Sequence, residues 1–92
     1  MIQSFKCADT KSLYGGTSVA RYVNIRAVAE RKLQMIHRAT RLDDLRKPPN
    51  NRLEALKGDR KGQHSIRIND QWRVCFVWTG SDAINVEIVD YH

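Results

Sequence analysis

The sequence predicts an α+β fold, in which an antiparallel sheet of about four strands packs against N-terminal helices. Apolar residues recur at helical spacing only in the first half of the chain, whereas after the PPNN segment at 48–51 they alternate with polar residues. Short turn signals separate the alternating segments. Tight turns connect antiparallel neighbours, so this half of the chain is typical of an antiparallel meander.

The first half contains one long amphipathic helix. IQSF at 2–5 is a candidate strand, and Asp9 or Thr10 is a candidate N-cap of a brief helix that Gly15-Gly16 ends. The main helix follows, and a short turn at 42–45 leads to the two prolines. The apolar stripe of the main helix consists of Ile25, Val28, Ala29, Leu33, Ile36 and Ala39, and its basic side carries Arg31, Arg38 and Arg41.

The second half contains the strands. Leu53 and Leu56 indicate a short extended segment, and a basic loop at 57–62 follows it. Turns at Asn69-Asp70 and at 80–82 divide the remainder into three strands. The apolar faces of these strands are Ile66 and Ile68, then Trp72, Val74, Phe76 and Trp78, then Ile84, Val86 and Ile88. Because the tryptophans share their strand face with aliphatic residues, we assign them to the core rather than to a base-stacking surface.

The chain has 92 residues, and we expect a single domain spanning 1–92. No apolar run approaches the about 20 residues of a membrane-spanning helix, and the N-terminus lacks the basic-then-apolar pattern of a secretion signal. These features favour a cytoplasmic protein. Cys7 and Cys75 form no CxxC motif and lie at no zinc-ligand spacing from the histidines, so we expect no metal site and no other cofactor.

The charge is strongly basic. Lysine and arginine number 16 against 10 acidic residues, which gives a net charge of +6 and a pI of about 9.8. The surplus is concentrated in residues 24–41 and 57–73. A concentrated basic field favours a polyanionic partner, most often nucleic acid. Solubility alone is the alternative explanation.

Groups that can move a proton or bind phosphate converge on the strands. The last strand runs into Asp90-Tyr91-His92, and hairpin turns place Arg67 and Arg73 on neighbouring strands. Glu54 and Lys57 enter just before these strands. A strand that simply ends in polar residues is the alternative interpretation, since structural roles are commoner than functional ones.

This set of side chains suits metal-free cleavage of RNA through its own 2′-hydroxyl. The reaction needs a base for the 2′-OH proton, cations for the charge on the phosphate, and an acid for the departing 5′-oxygen. A carboxylate is a suitable base, and a guanidinium donates two hydrogen bonds to phosphate at once. An imidazole, with an ordinary pKa of about 6.5, is a natural acid. DNA lacks the attacking hydroxyl.

Each residue also has a structural interpretation. Glu54, taken alone, would more simply pair with Arg52 or Lys57. The two strand arginines would pair with Glu87 or Asp90.

The segment LEALKGDRKGQHSIRINDQWRVCFVW, followed by EIVDYH, resembles the HigB toxins of the RelE/ParE superfamily, the toxin half of bacterial toxin–antitoxin pairs. The order LKGDR, SIRIN, WR in a strand and a final DYH carries the likeness, which is greatest to the GraT-like subgroup. The resemblance implies a RelE-like fold. It also implies a ribosome-dependent ribonuclease that enters the decoding site of a translating ribosome and cuts the messenger RNA there.

The resemblance also implies site residues. Many HigB toxins carry histidine before the LKG segment, where this chain has Glu54, and the related YoeB toxins carry glutamate there. By that likeness Glu54 is the base, Arg73 the phosphate stabiliser and His92 the acid, with the acid and base roles exchangeable between Glu54 and His92. Asp90 and Tyr91 complete the catalytic set, in which Tyr91 orients the substrate. The implied phosphate-binding residues are Lys57, Arg60, Lys61 and Arg67.

The implied partners are a HigA-type antitoxin with a helix-turn-helix domain and the ribosome with its messenger and ribosomal RNA. Two other functions stay open at this point. The ParE branch shares the fold but inhibits DNA gyrase without cutting RNA, and a simple basic nucleic-acid-binding module needs no acid–base pair.

Overall fold

A computed structural model of the chain describes residues 1–90. Within them lie two α-helices and a four-stranded antiparallel sheet with the strand order β1-β2-β3-β4. The helices are α1 (Ala8–Tyr14) and α2 (Arg26–Arg38), and the strands are β1 (Glu54–Ala55), β2 (His64–Arg67), β3 (Trp72–Trp78) and β4 (Ala83–Asp90). The predicted α+β fold is confirmed.

Helix α2 packs its predicted apolar stripe into the core. Ala29, Leu33 and Ile36 are fully buried, and the basic side at Arg31 and Arg38 is exposed, as its spacing predicts. The core is completed from α1, the segment before α2 and one face of the sheet. Its buried members are Leu13, Tyr22, Ile25, Ala29, Leu33, Ile36, Ala39, Leu45, Ile66, Ile68, Val74, Phe76, Ala83, Val86 and Ile88.

The predicted strand at 2–5 is replaced by two isolated parallel bridges to β4, Ile2 with Ala83 and Phe5 with Val86. The reason is a bulge in β4. Pairing with β3 shifts register between Cys75 and Val77, and Asn85 adopts a left-handed conformation with φ 54°. A bulged strand bends locally, so a straight neighbour cannot follow it as a continuous ladder.

The predicted caps of α1 are also wrong. Cys7 is the N-cap residue, and its side chain makes no capping hydrogen bond. Thr10 lies inside the helix, where its buried hydroxyl accepts a hydrogen bond from the Ile88 amide at 3.0 Å. The Thr10 side chain therefore connects α1 to β4 and does not cap the helix.

Two 3₁₀ turns, Leu42–Arg46 and Pro49–Asn51, connect α2 to the sheet. The predicted turn at 42–45 is confirmed. The residue after the second turn, Arg52, has left-handed backbone angles of φ 45° and ψ 54°. This turn redirects the chain, so that β1 begins two residues later as the edge strand beside β2. Across residues 1–90, no helix combines the length and apolar character needed to cross a membrane.

Candidate active site

Strand register divides the sheet into a helix-facing side and an outer side, because residues directly opposite one another project to the same face. Val74 and Phe76 face the core, so the residues that alternate with them face outward. Two rows of side chains therefore cross the outer face: Glu54, Ser65, Cys75 and Glu87 form one, and Arg67, Arg73 and Val89 form the next.

Arg73 is held in a fixed orientation on this face. Its Nε donates to Ser65 Oγ at 2.8 Å, and its Nη2 donates to the Arg52 carbonyl oxygen at 2.7 Å. The side chain is only 11% exposed. Because contacts at both Nε and Nη2 fix the plane of the guanidinium, this cation is oriented before any ligand binds.

Glu54 lies beside this guanidinium. Its Oε1 is 3.6 Å from Arg73 Nη2, and its side chain is 52% exposed. The structural alternative, a pair with Arg52 or Lys57, is not what the structure shows. The structure thus brings together two of the predicted site residues, an accessible carboxylate and an oriented cation.

A second ion pair lies in the same row. Arg60 Nη2 is 3.1 Å from Glu87 Oε1, and Lys6 Nζ is 3.8 Å from Glu87 Oε2. The sequence suggested the strand arginines as partners of Glu87; the structure gives Arg60 and Lys6 instead. Arg60 also donates to Gln63 Oε1 at 3.1 Å, yet it keeps part of its side chain exposed.

Between the two ion pairs lies the fully buried Cys75 thiol. Burial raises the pKa of this thiol; Arg60 and Arg73 oppose the shift, and Glu87 and Glu54 favour it. Charged groups of both ion pairs therefore influence the pKa of this thiol. Sequence reasoning missed Ser65 as a partner of Arg73. Its alternation with Ile66 is the signal that assigns it to the outer face.

The other predicted phosphate-binding residues surround this face. Arg67 lies opposite Arg73 and forms an ion pair with Asp70 in the β2–β3 turn. Lys57 and Lys61 flank the 3₁₀ turn Gly58–Arg60, and both are exposed. Exposed ammonium groups beside a sheet that carries a bound guanidinium form a surface for a polyanion.

Asp90 is the last described residue of β4. It lies opposite Trp72, on the helix-facing side of the sheet, and its Oδ2 accepts a hydrogen bond from Gln71 Nε2 at 3.1 Å. The predictions for Tyr91 and His92 lie outside the described residues. In the part of the chain that is described, no three histidine, cysteine or acidic side chains cluster as metal ligands would.

Comparison with known proteins places the chain in a family. A family model described as a RelE-like toxin of type II toxin–antitoxin system HigB matches residues 5–92. The chain is 36% identical to "Endoribonuclease HigB" of Proteus vulgaris, and the alignment covers 100% of both chains. It is 47% identical to "Toxin HigB-1" of Vibrio cholerae over 55 residues, which is 60% of this chain and 58% of that protein.

The chain therefore belongs to the HigB-like toxins, the RelE-like toxins of type II toxin–antitoxin systems. The family suggested by the LKGDR, SIRIN and DYH segments is confirmed. Membership of a type II system implies an antitoxin partner.

Proposed function

We propose that this toxin is a metal-independent endoribonuclease that cuts messenger RNA in the decoding site of a translating ribosome and so inhibits translation. Endoribonuclease is the activity in the name of the Proteus vulgaris relative. The observation that carries the proposal is the 3.6 Å approach of Glu54 to the immobilised Arg73 on the outer sheet face. A carboxylate and an oriented guanidinium are the base and the charge stabiliser that RNA cleavage needs.

Each catalytic side chain has one role in the proposed reaction. Glu54 accepts the proton of the 2′-hydroxyl, and the 2′-oxygen attacks the adjacent phosphorus. Arg73 donates hydrogen bonds to the phosphate oxygens as negative charge builds on them. The bond from phosphorus to the 5′-oxygen breaks, and His92 protonates that oxygen. Tyr91 orients the substrate. Asp90, which lies on the helix-facing side of the sheet, would support this end of β4 rather than contact the RNA.

The basic residues around the site bind the RNA backbone. Lys57 and Lys61 are exposed, and Arg60 and Arg67 keep 30% and 29% of their side chains exposed while paired with acids. These four residues would contact phosphates of messenger or ribosomal RNA without reading bases. Such contacts release counterions, so ribosome affinity falls steeply with salt.

The partners and the location follow from this role. The proposed antitoxin is a HigA-type protein with a helix-turn-helix domain. The toxin acts as a single domain over residues 1–92, in the cytoplasm, where ribosomes translate.

The test compares wild-type toxin with Glu54→Gln, Arg73→Ala and a form that lacks only His92, by mapping messenger 5′ ends on purified translating ribosomes. Loss of a general base lowers the rate about 10²–10⁴-fold, and loss of a charge stabiliser lowers it about 10²–10³-fold. A messenger with a 2′-deoxy nucleotide at the cleavage position should stay intact. Glu30→Gln and Arg38→Ala, on α2, are the matched controls.

Three results would contradict the proposal. They are wild-type rates in the Glu54→Gln variant, wild-type rates in the form without His92, and cutting at the deoxy position. Inhibition of gyrase supercoiling by a toxin that leaves messengers intact would favour a ParE-like function instead.

A further inference from the structure

Helix α2 contains a buried lysine that does not belong to its apolar stripe. Lys32 is 9% exposed, and its Nζ donates to Asn51 Oδ1 at 2.5 Å. Among residues 1–90, no carboxylate lies within 4.0 Å of this ammonium group. Burial lowers the pKa of Lys32, and the charges of Arg31 and Arg67 lower it further. Burial of a cation whose partner is a neutral amide is unfavourable for folding. A functional role for the contact between Lys32 and Asn51 would explain why the chain keeps it.

Asn51 joins α2 to both connecting turns. Its side chain is fully buried. While Oδ1 accepts from Lys32, Nδ2 donates to the Leu45 carbonyl oxygen at 3.2 Å. Its backbone amide donates to the Pro48 carbonyl oxygen at 3.0 Å. The end of the Pro49–Asn51 turn is therefore fixed to the helix through Lys32 and to the preceding turn through Leu45.

The next residues reach the candidate active site directly. Arg52 follows Asn51 in a left-handed conformation, and its carbonyl oxygen accepts the 2.7 Å hydrogen bond from Arg73 Nη2. Two residues later, Glu54 presents its carboxylate to the same nitrogen at 3.6 Å. These two contacts to Nη2 come from one short segment, and Asn51 is the anchored end of that segment; Nη2 also donates to the Ser65 carbonyl oxygen at 3.4 Å.

We propose that Lys32 and Asn51 are a positioning pair, which sets the place of Glu54 and the orientation of Arg73 in the active site from the opposite, helix-facing side of the sheet. The inference rests on the endonuclease function proposed above. The pair touches no RNA, and it acts by fixing the Arg52 carbonyl and the start of β1. A displacement of about 1 Å at a reacting group can lower a rate about 10²-fold.

The test is the double variant Lys32→Met/Asn51→Leu. Replacing both partners with apolar groups of similar shape removes the buried charge and its acceptor together. The Leu45 carbonyl oxygen loses its donor, so circular dichroism first establishes that the variant folds. We expect kcat for messenger cleavage on ribosomes to fall about 10–100-fold, with KM for the ribosome complex unchanged within error. NMR of the Arg73 guanidinium should show faster rotation about the Nε–Cζ bond. The matched control is Lys47→Met/Asn50→Leu, the same chemical change at exposed positions of the same connection.

The outcomes separate the two proposals. If wild-type toxin cuts messenger and the folded double variant keeps wild-type kcat and wild-type guanidinium rotation, the positioning role is overturned. If wild-type toxin cuts nothing, the endonuclease proposal fails, while the NMR measurement still decides whether the pair orients Arg73.

Discussion

The hydrogen bond from Arg73 Nε to Ser65 Oγ should contribute measurably to stability. It is 2.8 Å long, and the Ser65 side chain is fully buried. Ser65→Ala deletes the acceptor without a large change in volume, and Arg73→Met deletes the donor while keeping an apolar stem. Each single change also disturbs other contacts, since Arg73 binds the Arg52 carbonyl as well. A double-mutant cycle removes those other effects and isolates the pair.

The magnitude follows from the chemistry of the pair. A hydrogen bond with one charged partner contributes about 1.5–3 kcal/mol to folding. The acceptor here is a neutral hydroxyl, so the lower end applies, and we expect a coupling free energy of about 1.5 kcal/mol. That exceeds the about 0.3–0.5 kcal/mol within which independent sites add. Ser65→Ala alone should lower the melting temperature by about 6–12 °C, at about 4–8 °C per kcal/mol for a domain of this size.

Urea unfolding of the four proteins, followed by circular dichroism, measures the coupling. Ser12→Ala, at an exposed position of α1, is the control and should leave the urea midpoint unchanged. Additive effects of Ser65→Ala and Arg73→Met would refute the reasoning, because they would mean that the serine does not hold the guanidinium.

Three further changes test contacts elsewhere. Burial and, less strongly, the charge of Arg46 lower the pKa of His64. At acidic pH the His64 imidazole therefore binds a proton more readily in the unfolded chain than in the folded one. The contribution of neutral His64 to the free energy of unfolding should be complete above about pH 6.5 and fall as the pH decreases below it. His64→Gln should flatten this acid-side loss in urea titrations at several pH values, and an unchanged slope would contradict the assignment. Thr10→Val leaves the buried Ile88 amide without its 3.0 Å acceptor and should cost about 1–3 kcal/mol in unfolding experiments; no loss would mean that the contact contributes nothing. Glu87→Gln should lower stability by about 1 kcal/mol at low salt and by less at high salt, and equal losses at both would argue against an ion-pair effect.

The local pattern of apolar and polar residues was sufficient to predict most of the fold. The stripe of α2 lies on the sheet as its period predicts, because a helix with one apolar side has one stable way to bury it. The alternation of Val74 and Phe76 with Arg73 predicted the outer face correctly. The strand at 2–5 was mispredicted because the bulge in its partner β4 depends on the pairing of β3 with β4, and no residue within 2–5 reports it.

The partners of individual charges were harder to predict. Glu54 and Arg73 were brought together correctly by topology: β2 separates their strands, and both side chains lie on the outer face of the sheet. Glu87 was assigned to the wrong arginines, because its pairing with Arg60 depends on how the loop at 58–62 folds back over the sheet. Lys32 reads as one more basic residue of a helix. Only its contact with Asn51, 19 positions away, explains its burial.

Register divides the predicted site residues of the described strands between the two faces of the sheet. On β3 the row of Glu54 crosses at Cys75, Arg73 follows two residues later, and Asp90 lies opposite the next residue, Trp72. At about 3.3 Å per residue, the row of Glu54 and the row of Asp90 are roughly 10 Å apart, with Arg73 between them. Glu54 and Arg73 lie on the outer face, so a phosphate bound there by Arg73 would lie beside the carboxylate that the proposed reaction uses as its base. Asp90 lies opposite Trp72 on the helix-facing side. The register of the described strands therefore brings Glu54, but not Asp90, to a phosphate on the outer face.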